Sequence, residues 1–276
     1  MTVRELELDD IQSGVLRPRP NPYIAAYFIF RIDNKEGGRA LMRGLHPVIP
    51  SSAHTNSSTG DTWLSLSLTY QGLKALGVPS DSLDSFPIEF KQGMAARAAS
   101  LGDVGESSPE FWEKPLGGPD VHVVLTAIAP DQQRLEAAID RARPHFQKIS
   151  GITCIWRQNC HARADEKEAF GYKDGISHPA IEGSGIPGTN PKEVPLKAGE
   201  FVLGYPDEMG AVQLLKPDIL SNNGSFVAFR KLQQDVAMFR QFLKSNSTAT
   251  DSEEFLAAKM MGRWRSGAPL AKCPMH

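Results

Sequence analysis

One acidic residue stands out in a loop that is rich in glycine and aromatic residues. Asp174 lies within the stretch FGYKDGISHPAIEG (170–183), where Gly171 and Gly175 flank it. A carboxylate held by a tight turn can accept and return a proton, as general acid–base catalysis requires. Lys-Asp-Gly is also ordinary turn chemistry, because glycine tolerates a positive φ. The residue types alone therefore leave two interpretations open, a proton-transferring acid and a solvated turn residue.

The segments before this loop are expected to form the scaffold that positions it. Polar–apolar alternation and β-branched or aromatic residues predict four strands, at 21–32, 62–70, 120–129 and 149–156. Apolar residues at helical spacing predict intervening helices, through Ala40 and Leu41, at 87–102 and at 131–146. On the last helix, one face carries Leu135, Ala138, Ile139 and Ala142. This order predicts an α+β fold of the ferredoxin-like kind.

The composition changes after these elements. From about 157 to 200 it is dominated by Gly, Pro, Ser, Lys and Asp, as in a long functional loop. A strand is predicted at 224–232, followed by a helix at 233–244. A second helix is expected to be capped by Thr250, with Glu253 three residues later. Its inward-facing side chains are expected to be Phe255, Leu256 and Met260, together with Trp264 just beyond it.

These patterns divide the chain into three parts. An N-terminal ferredoxin-like module is expected at 1–160, a linker with the Asp174 loop at 161–223, and the start of a second, incomplete module at 224–276. One strand cannot form a sheet alone, so the second module needs strands from another chain or from further sequence. A homo-oligomer is one way to supply them.

Composition limits the classes of function. The formal net charge is −2 and no Lys/Arg-rich block occurs, which argues against a general nucleic-acid surface. The first residues lack the apolar run of a signal peptide, and no stretch approaches the length of a membrane span. A cytoplasmic protein without a membrane partner is therefore expected.

Seven segments in chain order resemble the dye-decolourising (DyP-type) haem peroxidases. The Asp174 loop matches their GxxDG signature through GYKDG. The other six segments are DIQSGVLRPRP, FKQGMAARAASLGD, GGPDVHVVLTAIAP, GEFVLGYPDE, NGSFVAFRKLQQDVAMF and AAKMMGRWRSGAPL. The resemblance spans essentially the whole chain, which makes it far more specific than GxxDG alone.

The resemblance implies haem b as cofactor, with hydrogen peroxide and aromatic reductants as substrates. It implies that Asp174 is the distal acid–base, which takes a proton from peroxide and returns it to the leaving oxygen. Gly171 and Gly175 would let the backbone lie close to the porphyrin. Ile176 and Ser177 would line the cavity.

Two further roles are considered on the basis of the resemblance. Arg230 is a candidate for binding a haem propionate, the alternative being a pair with an acid on the sheet. The family's axial histidine and distal arginine lie downstream of the GRWxSGAPL segment, and this chain ends at His276 before reaching them. His276 and His178 are therefore the candidates for a replacement axial ligand.

The resemblance also implies that the chain is truncated at its C-terminus, and that its peroxidase turnover is low. An alternative keeps the fold but not the chemistry. In that alternative the chain is a haem-free, dimeric binding or scaffold protein.

Overall fold

A four-stranded antiparallel sheet forms the centre of the computed structural model, which describes residues 5–53 and 62–275. The strands are β1 (Ile24–Ile32), β2 (Trp63–Leu68), β3 (Val123–Ala129) and β4 (Ile152–His161), in the order β2-β3-β1-β4. With a helix between β1 and β2 and another between β3 and β4, this is the β-α-β-β-α-β arrangement of ferredoxin-like modules. The predicted fold class is confirmed.

Ten α-helices accompany the sheet in the described part of the chain. They are α1 (Ser13–Leu16), α2 (Lys35–Leu45), α3 (Tyr70–Ala75), α4 (Ser80–Asp84), α5 (Ile88–Ala96), α6 (Ala98–Leu101), α7 (Gln132–Ala142), α8 (Pro144–Gln147), α9 (Val236–Asn246) and α10 (Glu253–Met261). The single helix predicted at 87–102 is thus two helices, and Gly93 with φ +70° interrupts the first of them. None of the helices in the described ranges is long and apolar enough to cross a membrane.

The main hydrophobic core lies between one face of the sheet and the helices α2 and α7. Each helix begins at a side-chain cap, where Asn34 accepts from Gly37 N and Asp131 accepts from Arg134 N. The predicted inward face of α7 is confirmed, since its buried residues are Leu135, Ala138, Ile139 and Ala142. Opposite them, the sheet buries Phe28, Phe30 and Leu125. Complete burial of such a side chain stabilises the fold by about 1.5–3 kcal/mol.

The other face of the sheet is covered in part by residues 224–232. The Phe229 ring lies 5.5 Å from the ring of Tyr27 and 6.3 Å from that of Trp156. Lys231 Nζ donates a hydrogen bond of 2.9 Å to Gln158 Oε1. The prediction of a strand at 224–232 is wrong, because this segment pairs with no strand of the sheet and its conformation is irregular. Phe229 contacts the sheet through its side chain, and the segment does not pair with the sheet through its backbone.

Helices α9 and α10 form a smaller cluster with the loop that carries Asp174. Tyr172, Leu243 and Ala257 are its buried residues. The N-cap of α10 is Ser252, whose Oγ accepts from Phe255 N at 3.2 Å, so the predicted cap at Thr250 is wrong.

The prediction of which side chains of α10 and the following residues face inward is partly correct. Trp264 is 7% exposed, and Leu256 packs against the cluster of α9 and α10. Met260 is 53% exposed, so its predicted inward position is wrong. The division of the chain at 160 and 223 stays a prediction.

Candidate active site

The turn before Asp174 is organised by Glu168. The backbone N–H of Glu168 donates to Tyr172 O at 2.9 Å. Its carboxylate accepts from Phe170 N and from Tyr172 N, each at 2.8 Å. Gly171 completes the turn at φ +94°, a conformation that other residues rarely adopt. One acidic side chain therefore satisfies two backbone N–H groups of the turn.

Arg265 holds this turn from the segment after α10. Its Nη1 donates to Phe170 O at 2.8 Å, while its Nε donates to both carboxylate oxygens of Glu254 at 2.8 and 2.9 Å. The guanidinium carbon lies 5.0 Å from the centre of the Tyr172 ring. A Cβ built on Gly171 would lie 2.5 Å from Arg265 Nη1. The absence of a side chain at Gly171 thus makes room for Arg265.

Asp174 pairs with an arginine from the beginning of the chain. Arg19 Nη2 donates a hydrogen bond of 2.9 Å to Asp174 Oδ2, and the Asp174 side chain is 66% exposed. The Arg19 guanidinium also lies 4.2 Å from the centre of the Tyr23 ring. Gly175 has φ +65°, and a Cβ there would lie 2.8 Å from Arg19 Nη2. Both glycines that flank Asp174 therefore leave space for an arginine.

A pocket of about 340 Å³ opens beside this pair. Its walls come from the segment that carries Arg17 and Arg19 and from the segment that carries Ser177 and His178. Trp63 and Phe201 add aromatic surface, and Gly175 also lines the pocket. A concave site with apolar walls and a few polar groups is the usual form of a small-molecule site.

His178 is anchored in the wall of this pocket. Its Nε2 lies 3.1 Å from Leu16 O, and its backbone N donates to Thr189 Oγ1 at 2.9 Å. A carbonyl oxygen only accepts hydrogen bonds, so Nε2 is the donor in this contact. The residue thereby fastens the loop to the segment around Leu16.

The predicted site residues fall into separate groups. Gly175, Ser177 and His178 line the pocket next to Asp174. Ile176 instead faces Gly267, where a Cβ would lie 3.0 Å from Ile176 Cδ1. Gly171 lies against Arg265, as described above, and His276 is outside the described residues.

Arg230 forms an ion pair with Asp103. The Asp103 side chain is 8% exposed, and its Oδ2 has no hydrogen-bond partner among the residues that the structure describes. The alternative predicted for Arg230 was a pair with an acid on the sheet, but Asp103 follows α6 and lies outside the sheet. The ion pair therefore ties the irregular segment at 224–232 to the end of α6. The partner itself was missed, since a pair separated by more than a hundred residues leaves no local pattern.

Tyr172 is a second buried polar group of this region. It is 5% exposed, and its hydroxyl has no hydrogen-bond partner among the described residues. Burial raises the pKa of the phenol above its usual range, because the charged form loses its hydration. Tyr172 therefore stays protonated at neutral pH.

The residues around the pocket next to Asp174 fit the distal side of a haem site, where peroxide would bind. An acid, a cation and an open pocket meet there, as proton transfer to and from a small peroxide requires. Haem iron also needs an axial side chain, usually histidine. Of the described residues that line the pocket, His178 is the one histidine, and its Nε2 is already hydrogen-bonded. No group of three or more His, Cys, Asp or Glu in the described ranges is placed to hold a bare metal ion.

Comparison with known proteins supplies independent evidence. Residues 10–163 match the family described as the DyP dimeric alpha+beta barrel domain. The chain is 33% identical over 280 residues to Peroxidase 2 of Mycetinis scorodonius, and the match covers 98% of this chain and 52% of that protein.

Two solved structures are similar to this chain over nearly its whole length. A decolorizing peroxidase from Auricularia auricula-judae superposes with a TM-score of 0.79 at 28% identity, covering 98% of this chain and 59% of the other. A dye-decolorizing peroxidase in complex with 2,6-dimethoxyphenol superposes with a TM-score of 0.78 at 27% identity, covering 98% and 62%. The chain spans about half the length of the curated relatives it matches.

Proposed function

This chain belongs to the dye-decolourising (DyP-type) peroxidase family, and on that premise we propose that it serves the hydrogen-peroxide-dependent oxidation of dyes, phenols and other aromatic donors. The observation that carries the proposal is the Asp174 carboxylate, held by Arg19 at the edge of a small pocket. The named activities of the relatives, and the phenol bound to one of them, support the same class of substrate.

Asp174 is the acid–base residue in this proposal. Its Oδ2 accepts from Arg19, and both Arg19 and the next residue, Gly175, line the pocket. The carboxylate would take a proton from one oxygen of hydrogen peroxide and return it to the other, which leaves as water when the O–O bond breaks, the two electrons being supplied by haem when it is bound. Arg19 keeps the carboxylate aimed and adds a positive charge next to the transferred proton.

Haem b, when bound, supplies the electron-transfer chemistry with peroxide and with the aromatic donor. Gly175 and Ser177 line the pocket and would lie against it. The fixed imidazole of His178 and the stacked Arg19 and Tyr23 hold the pocket walls in place, so that Asp174 does not have to reorganise during proton transfer.

The test is a haemin titration of the purified chain, followed by peroxide-dependent oxidation of 2,6-dimethoxyphenol. We expect a saturable Soret band and a rate above that of haemin alone. In Asp174→Asn the side chain keeps its shape but cannot carry the proton, so the rate should fall by roughly 10²-fold or more. The expectation of little turnover by this chain stays a prediction, and the same assay measures it.

Asp165→Asn is the matched control, because Asp165 is another loop aspartate paired with an arginine, Arg163. It should bind haemin and oxidise the phenol as the unaltered chain does. Equal rates for the unaltered chain and Asp174→Asn, both above the haemin background, would refute the role of Asp174. A chain that gives no Soret band at any haemin concentration would refute the peroxidase proposal for this polypeptide.

One observation favours a second candidate, the haem-free dimeric binding protein. Large apolar side chains along the irregular segment are exposed, with Phe226 at 40%, Val227 at 69% and Leu232 at 71%. Exposed apolar surface of this kind commonly marks an interaction site. A monodisperse dimer in light scattering without a Soret band would support this candidate, and a haem-binding monomer would exclude it.

A further inference from the structure

An open groove of about 390 Å³ lies between α2 and the turn that follows α3, on the opposite side of the main core from the irregular segment. Its floor is apolar, formed by Met42, Leu76, Val78 and Pro79. Two arginines, Arg39 and Arg43, line it from α2. They are four residues apart, so both project from the same face of the helix.

These cations have no partner within the described part of the protein. Arg39 and Arg43 are exposed, and neither forms an ion pair or a hydrogen bond through its side chain with a described residue. Lys35, one turn earlier, lies at the edge of the groove, since a Cβ on Gly77 would lie 2.7 Å from its Nζ. By contrast, Arg134 of α7 and Arg143, the residue after that helix, each pair with an aspartate.

We propose that this groove binds a small organic anion that has one carboxylate or sulfonate group and an apolar, ring-sized body. Two adjacent guanidinium groups present several N–H donors to one oxyanion and neutralise its charge. The apolar floor accepts a body that would otherwise remain in water. The groove is open to solvent, so a dissolved small molecule can reach both the arginines and the apolar floor directly.

The groove is independent of the proposed acid–base chemistry, because none of its residues lines the pocket next to the Arg19–Asp174 pair. Titration calorimetry with naphthalene-2-sulfonate tests it on the full chain without haemin. We expect one saturable site that weakens roughly tenfold for each arginine removed, in Arg39→Gln, Arg43→Gln and the double variant. Both side chains are exposed, and the thermal unfolding midpoint of each variant verifies that it is folded.

Arg141→Gln is the matched control, since Arg141 is an exposed arginine of α7 that makes no ion pair with any described residue and lies outside the groove. It should bind the sulfonate as the unaltered chain does. Neutral naphthalene-2-sulfonamide and inorganic sulfate should each bind at least tenfold more weakly than the sulfonate, because each lacks one of the two contacts.

Three results would overturn the proposal. The first is equal sulfonate binding by the unaltered chain and the double variant. The second is an equal loss in Arg141→Gln, which would indicate attraction by overall charge. The third is arginine-dependent sedimentation with phosphatidylglycerol vesicles while the sulfonate does not bind, which would identify a membrane contact instead.

Discussion

Arg19 and Asp174 are joined by a hydrogen bond of 2.9 Å although 155 residues separate them in the chain. Arg19 lies between α1 and β1, and Asp174 lies in the loop after β4, so the bond fastens the loop to the beginning of the first module. Such a partly exposed pair adds only about 0–1 kcal/mol to stability, so its importance lies in orienting the carboxylate.

Arg19→Gln should therefore affect chemistry more than stability. With haemin bound, we expect kcat/KM for peroxide to fall roughly tenfold, because a misaligned general base transfers protons less efficiently. The free energy of unfolding in urea should change by less than about 1 kcal/mol. Arg163→Gln removes a similar exposed pair, that with Asp165, and should leave kcat/KM unchanged. Identical kinetics in the two variants would show that Arg19 does not orient Asp174.

Gly171→Ala should destabilise the protein more than Gly185→Ala does. Both glycines have positive φ, +94° and +68°, so each alanine costs about 1 kcal/mol in backbone strain. Only the alanine at Gly171 would also displace Arg265, whereas no atom lies within 4 Å of a Cβ at Gly185. Urea unfolding of both variants measures the difference. Equal losses would mean that the space next to Arg265 is not required.

Arg265→Gln should loosen the turn before Asp174. The substitution removes the bond to Phe170 O and leaves the Glu254 carboxylate without its cation. Amide hydrogen exchange at 170–174 should accelerate, because the turn then opens without breaking the core. Lys259→Gln breaks the ion pair of Lys259 with Asp251, which lies just before the N-cap of α10, and is expected to leave these amides unchanged. Unaltered protection of the turn in Arg265→Gln would contradict its role as a clamp.

Asp33 should contribute stability that depends on pH. Hydrogen bonds first from Thr153 and then from Arg31 hold the pKa of its carboxyl below the ordinary value of 3.8. Because the folded pKa is lower than the unfolded one, the stabilisation is present above pH 3.8 and disappears as the pH falls through the folded pKa. Asp33→Asn should thus lower the free energy of unfolding at neutral pH, and the deficit should shrink in acid.

The measurement is urea unfolding of Asp33→Asn across that range of pH. Asp9→Asn is the control, since Asp9 is exposed and makes no side-chain hydrogen bond or ion pair with a described residue. A deficit in Asp33→Asn that stays constant from neutral pH to the most acidic point would contradict the assignment.

Local sequence patterns were sufficient to predict an element whose structure depends on nearby residues, such as an amphipathic helix, a tight turn or an alternating strand. The four strands of the first sheet, the inward face of α7 and the turn around Asp174 follow from residue spacing and turn chemistry. The family was inferred from seven segments in chain order, and the match of residues 10–163 to the family model confirms it. The sequence by itself thus determined the fold class, the first sheet and the loop on which the candidate acid lies.

Tertiary structure decided the rest, because the deciding contacts join residues that are distant in sequence. Residues 224–232 have the composition of a strand, but a strand needs a neighbouring backbone, and here Phe229 packs on Tyr27 and Trp156 instead. The partners of Asp174 and Arg230, namely Arg19 and Asp103, could not be found from spacing. An ion pair leaves no periodic signal in the chain, since its geometry arises only when the folded segments meet.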